Sequence, residues 1–383
     1  LNVELLLLVV FVGAFFAPLF ARTLGMPVPV GELVFGLILG YMIGGSSHIP
    51  DVISFLAEFG FLLLMFLAGL EIDFNLLERI EGRLLTVYTV YTFLIFLTSI
   101  GIAYIFGFSI PSLLIISLVS VGLMVATLRD MSILSSTFAK KVMIIGIIGE
   151  LMSLFFLTLM EKIGRFTAWK NFLLEVGVIV LFFVVFFVVF YMIKLLLWWF
   201  PEILKRLTYE EDPSAIGIRL SLALMFTTAV LAHLAGMESV LGAFLAGVVF
   251  SYFIRKKHDL EEKLSSIGYG FLIPIFFIKT GMSMEFEGVS MEILENTFTL
   301  LALMLAVRYI PSALLLLGSH TVKEVVLSPL LLAYPFTLMI AGIEIAHSAG
   351  LIDKKDVLSL FISAVLSSLL FPWMSKLLVW VLR

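Results

Sequence analysis

The sequence predicts an all-α polytopic membrane protein of about thirteen transmembrane helices, built as an inverted repeat. Three observations predict it. Apolar side chains make up 62% of the 383 residues, and the mean hydropathy is +1.18. No soluble core could bury so much apolar surface. These residues fall in windows long enough to cross a bilayer, and one stretch of the chain recurs seven spans later.

Charged residues and Gly/Pro punctuation place the helices, in order, near 3–20, 30–45, 51–72, 84–107, 110–129, 137–160 and 171–197. The remainder fall near 214–235, 238–254, 265–284, 293–317, 326–349 and 356–381. The first run ends in PLFARTLG, without a small-residue cleavage site, and reads as a retained span rather than a signal peptide. An odd number of spans puts the termini on opposite sides. Loops on the amino-terminal side carry five Lys/Arg, and those on the other side carry fifteen, including Arg129, Lys140, Lys141, Arg255 and Lys263. That bias predicts a carboxyl terminus in the cytoplasm and an amino terminus outside, in a cell (inner) membrane.

The second span recurs in the ninth. GMPVPVGELVFGLILGYMI (25–43) aligns without gaps on GMESVLGAFLAGVVFSYFI (236–254), with glycines at 25/236, 31/242 and 36/247. The next spans correspond as well, FLAGLEIDF (66–74) on IKTGMSMEF (278–286). Seven crossings separate the copies, so they must run oppositely through the membrane. Inverted repeats are the architecture of secondary transporters, with the site at the repeat interface near the midplane. The division this implies is a first repeat of six helices over 1–170, a linker helix and cytoplasmic loop over 171–213, and a second repeat of six helices over 214–383.

In such a scheme the fifth and twelfth spans are where broken helices belong. The fifth reads SLVSVGLMVATL, with Val119, Ser120 and Gly122 midway; the twelfth reads SPLLLAYPFTLMIAG, with Pro329 and Pro335. Proline removes a backbone N–H, which a membrane tolerates only where something else satisfies the freed groups. Half-helix ends beside a carboxylate would form a cation site from carbonyls and the Ser120 hydroxyl.

The sixth span supplies that carboxylate: VMIIGIIGELMSLFFLTLM, residues 142–160, contains one charged residue, Glu150. An ionised carboxylate at bilayer depth costs at least ~2.5 kcal/mol on insertion scales. Such a group binds either a proton or a cation, which is the minimal part of a cation/proton exchanger. Lys279, about as deep in the tenth span, is a candidate charge partner. Arg308 in the eleventh reads as a tether for carboxylates or helix ends. Glu32, Glu58, Glu71 and Asp73 lie near helix ends and read as wetted carboxylates, and His233 as a packing residue.

Absences narrow the class. There is no cysteine, so no disulfide framework, thiol nucleophile or cysteine metal site. HExxH, GxSxG, a Walker loop and a dinucleotide fingerprint are missing, and the basic loops are too scattered for nucleic acid. The sequence predicts no enzyme and no cofactor.

The stretches VGELVFGLILG, EFGFLLLMFLAGLEID, SVGLMVATLRDMSILSS, VLGAFLAGVVFS and FLIPIFFIKTGM resemble the monovalent cation:proton antiporter family, in its Kef-like and bacterial sodium/proton exchanger branch. The resemblance implies the sodium/proton antiporter fold with crossed broken helices, a dimerisation domain and hence a homodimer, a mobile six-helix core and elevator-type alternating access. It implies that Glu150 holds the transported sodium or potassium ion or the proton. It also matches Lys279 to the lysine that partners the site in electrogenic members. Any cytoplasmic regulatory domain is expected as a separate chain, and membrane lipids are the other expected partner. The sequence departs from the family at Gly149, where Asp or Asn is usual, and at Ala333-Tyr334-Pro335, where Arg-Gly-Glu is frequent. Two alternatives stand beside exchange: a gated cation efflux pathway of the Kef type, and a membrane receptor or subunit that retains the fold without transport.

Overall fold

In a computed structural model the described residues are 3–23, 27–43, 49–72, 80–164, 169–199, 216–253, 258–283 and 290–382. They form helices α1 (Val3–Thr23), α2 (Val28–Ile43), α3 (Asp51–Leu70), α4 (Gly82–Phe106), α5 (Ile110–Ser117), α6 (Gly122–Asp130), α7 (Thr137–Gly164) and α8 (Trp169–Trp199). Then follow α9 (Ile216–Leu234), α10 (Ser239–Phe253), α11 (His258–Ile267), a π-helical turn (Gly268–Leu272) and α12 (Ile273–Ser283). The chain closes with α13 (Met291–Tyr309), a 3-10 segment (Ile310–Gly318), α14 (Val322–Leu331), α15 (Phe336–Ser348) and α16 (Lys354–Leu382). Among the described residues nine helical segments are long and apolar enough to span, α14 and α15 form one more bent by 46°, and three apolar helices are shorter. Together they account for the thirteen expected. Gly25, Asp73, Lys205, Arg206 and the basic run at 255–257 lie outside the described residues.

The chain divides into two compact units, one of 1–74 with 166–285 and the other of 75–165 with 286–383. Repeats and compact units are thus different divisions, because each unit draws helices from both halves of the sequence.

The first unit is closed by glycines. A β-carbon on Gly36 of α2 would collide with the carbonyl oxygen of Ile278 on α12. One on Gly247 of α10 would collide with the carbonyl oxygen of Phe66 on α3. By the sequence alignment these two contacts are equivalents of each other. The same holds for Gly281 against Leu33 and Gly69 against Phe244, and again for Gly31 against Ala17 and Gly242 against Thr228. Small residues that admit a neighbouring backbone are how helices pack without a hydrophobic driving force between them. Gly40 abuts Met282 as Gly36 abuts Ile278, so α2 and α12 run parallel. Since α12 is the counterpart of α3, which returns across the membrane after α2, the two copies are inverted. Phe61 and Phe276 stack with ring centroids 4.5 Å apart, where Gly60 of α3 meets the backbone at Leu272.

The second unit carries the breaks. The fifth span is α5 and α6 with non-helical residues at 118–121, and the twelfth is α14 and α15 with a break at 332–335. Pro335 sits at the head of α15, where its missing N–H costs nothing, whereas Pro329 lies inside α14. The fifth span has no proline at its break. The unbroken α4 and α7 brace it, with Phe96 stacked on Phe156 at 4.2 Å.

Candidate cation site

Glu150, Ser120, Thr337, Ser153 and Arg308 all belong to the second unit. Glu150, on α7, is 2% exposed. Its Oε1 accepts a hydrogen bond from the Ser120 hydroxyl at 3.2 Å. Ser120 Oγ also lies 3.4 Å from Thr337 Oγ1, on the first turn of α15. The carboxylate therefore meets one hydroxyl from just before α6, and through it a second from the head of α15. Both are amino-terminal ends, where the backbone presents unpaired N–H groups and favours negative charge.

Ser153, one turn beyond Glu150, fixes the break in the fifth span. Its hydroxyl oxygen accepts from the Val119 N–H at 2.7 Å, while the hydroxyl lies 2.7 Å from the Gly149 carbonyl. Val119 fills the space beside Gly149. A β-carbon at Gly149 would come within 2.7 Å of Val119 Cγ1. Gly122 opens α6.

Arg308 serves the opposite ends of the broken helices. It is fully buried on α13, and its guanidinium donates to the carbonyls of Ile116 (3.0 Å), Leu118 and Leu332 (3.0 Å), besides Met304 in its own helix (2.6 Å). Three of these acceptors belong to the carboxyl ends of α5 and α14, where helix carbonyls lack partners and cations are favoured. Arg308 thus meets helix ends rather than carboxylates. Its rigid fork reaches both breaks at once, and a lysine ammonium could not reproduce that geometry.

Of the residues read from sequence, the structure brings Glu150, Ser120, Val119 and Gly122 together, with Pro335 heading the helix that carries Thr337. Lys279 lies on α12 and belongs to the first unit. Its pairing with Glu150 remains a reading of the sequence. Thr337 and Ser153 were missed. Their signals were available: a hydroxyl two residues after Pro335, and another three residues after the intramembrane acid. Glu32 overturns an expectation, since it is 3% exposed rather than wetted.

Comparison with known proteins decides the kind of molecule this is. The model of the transmembrane sodium/hydrogen exchanger family matches residues 10–380. The chain belongs to that family. It stands accordingly among secondary cation/proton exchangers and not among enzymes. Its relatives include YjbQ of Bacillus subtilis (strain 168), 28% identical over 96% of this chain; the chain spans about 61% of that protein's length. The Na(+)/H(+)-K(+) antiporter GerN of Bacillus cereus is 26% identical over 70% of this chain and 68% of its own. The solved sodium proton antiporter MjNhaP1 of Methanocaldococcus jannaschii shares the fold, with a TM-score of 0.63, 16% identity and coverage of 98% and 97% of the two chains.

Proposed function

We propose that this chain exchanges a monovalent cation for a proton across a cell membrane, and that Glu150 carries both in turn. The observation that carries the reading is a fully buried carboxylate set against Ser120 and Thr337 at the amino ends of two broken helices. In one state the carboxyl holds a proton; in the other it holds a dehydrated cation, with hydroxyl and backbone oxygens completing the shell. The unit with the broken helices fits the mobile core, and the glycine-closed unit fits the dimerisation scaffold. The basic bias of the loops supports a cytoplasmic carboxyl terminus. GerN's name covers both sodium and potassium, and both ions belong in the first transport assays.

Charge balance follows from the residues at hand. Arg308 stays bound to helix ends throughout, and Lys279, as the counter-charge read from the sequence, keeps its proton. Glu150 then trades one proton for one cation, and turnover is electroneutral. In proteoliposomes, Glu150→Gln should abolish cation-dependent pH recovery while the protein still elutes as a single folded species. Unchanged recovery would remove Glu150 from the mechanism. A sustained transport current on a solid-supported membrane that vanishes in Lys279→Gln, with exchange intact, would overturn the electroneutral cycle.

A further inference from the structure

Three close glycine contacts of one copy recur at equivalent positions of the other, so departures from that symmetry are informative. Two coincide in space. Where the second copy has Ala243, the first has Glu32; where α3 has Leu62, α12 has Pro274. The parallel contacts of Gly36 with Ile278 and Gly40 with Met282 set the register, and Glu32, one turn before Gly36, comes level with Pro274. The backbone there is opened twice. Residues 268–272 form a π turn in which the Ile273 N–H reaches back to the Gly268 carbonyl, and Pro274 offers no N–H to the carbonyl of Gly270. The equivalent stretch of α3 is uninterrupted helix.

Glu32 is 3% exposed and makes no hydrogen bond or ion pair among the described residues. The charged and titratable groups on the elements around it are Glu4 and Arg22 on α1, Asp51 and Glu58 on α3, Glu71 at its end, Tyr269 in the π turn and Lys279 on α12. Tyr269 lies within electrostatic reach of both Glu32 and Glu71. None of these groups is an ion-pair partner of Glu32. A bare carboxylate sealed among apolar groups is costly enough that it takes up a proton or a cation instead. A dehydrated metal cation needs room for a shell of oxygens, and α2 leaves little: Gly31 is pressed against Ala17 and Ala21, and Gly36 against the α12 backbone. A proton needs no space.

We propose that Glu32 is a proton-binding site of the first unit, separate from Glu150 and seated against the backbone that Pro274 and the π turn open. The neutral carboxyl lets α2 lie against α12 at glycine distance, and its O–H finds an acceptor in a carbonyl the proline has freed. The site stands or falls independently of transport at Glu150, because its test reads no flux.

The test is infrared spectroscopy of the purified protein in lipid at pH 7 and pH 8, following the C=O stretch of neutral carboxylic acids. A carboxylic acid band should survive in Glu150→Gln. Glu32→Gln should lower its intensity by one carboxyl's worth, and Glu32→Asp should keep the intensity but shift the band. Spectra of Glu32→Gln that superimpose on the parent would overturn the proposal, because Glu32 would then be ionised. Should Glu32→Gln fail to fold, an unmoved band in Glu32→Asp overturns it equally.

Discussion

The two compact units each draw helices from both halves of the sequence, and they treat the backbone differently. In the first, glycines bring helix against helix until carbonyl oxygens touch the neighbouring chain, and α2, α3 and α10 run without a break. In the second, the helices at the centre are interrupted, and side chains from elsewhere take over the hydrogen bonds: Arg308 at the carboxyl ends, Ser153 at Val119. Close packing of satisfied backbone gives a body with few ways to rearrange. Opened backbone gives oxygens and N–H groups at bilayer depth, where an ion can use them.

The sharpest way to break the contrast is at Arg308. Arg308→Leu strips the carbonyls of Ile116, Leu118 and Leu332 of their donor, and each unsatisfied buried acceptor costs about 1–3 kcal/mol. Little monodisperse protein should be recovered on size-exclusion chromatography, with Arg308→Lys intermediate. Full recovery of Arg308→Leu would show that the breaks are satisfied by other means. The first unit should yield to a smaller change. Gly36→Ala and Gly247→Ala, at equivalent positions, should each lower thermal stability in detergent by an amount corresponding to ~1–3 kcal/mol. Clearly unequal losses would mean that the two copies do not share the packing load.

A third substitution probes the space beside Glu150. Gly149→Ala should destabilise through its contact with Val119, and Val119→Ala should relieve it, giving a coupling of about 1 kcal/mol in a double-mutant cycle. Additive effects would show that Val119 does not limit the space at Gly149. A pH-dependent effect concerns His320, in the turn between the eleventh and twelfth spans, which is 5% exposed with Nε2 3.1 Å from the Tyr88 hydroxyl. Burial, aided by Lys141 and opposed by Glu324, pushes its imidazole from 6.5 down to about 4. Below pH 6.5 the unfolded chain binds a proton that the folded chain refuses until about 4, so stability is lost as pH falls through that window. His320→Gln should flatten the decline of melting temperature between pH 6.5 and 4, and an unaltered slope would exonerate the histidine.

Much of this was legible in the sequence, for identifiable reasons. The spans announce themselves through hydropathy, Glu150 through its isolation in an apolar run, and the twelfth-span break through Pro335. The fifth-span break was visible only as Ser120 and Gly122, residues that sit as readily in whole helices. Thr337 and Ser153 escaped because a hydroxyl in an apolar helix can satisfy itself on its own backbone, and periodicity does not say which ones turn elsewhere. Arg308 was readable as a tether, but its acceptors outside its own helix lie 24 to 192 residues away in sequence. Glu32 looked wetted because it stands near a helix end, and only the packing of α1 and α12 around it reveals the burial.

Arg308 also has a consequence for how the protein is made. Ribosomes deliver the chain from the amino end, so α5 enters the membrane long before α13 exists. Until then the carbonyls of Ile116 and Leu118 lack the donor they have in the finished fold. The amino-terminal half of the second unit must wait, hydrated or held by the insertion machinery, for a side chain synthesised some 190 residues later. Truncation anywhere before Arg308 should leave a membrane-inserted but open half-unit, the kind of substrate that quality-control proteases remove. The surroundings of Glu150 are therefore among the last parts of the molecule to be completed.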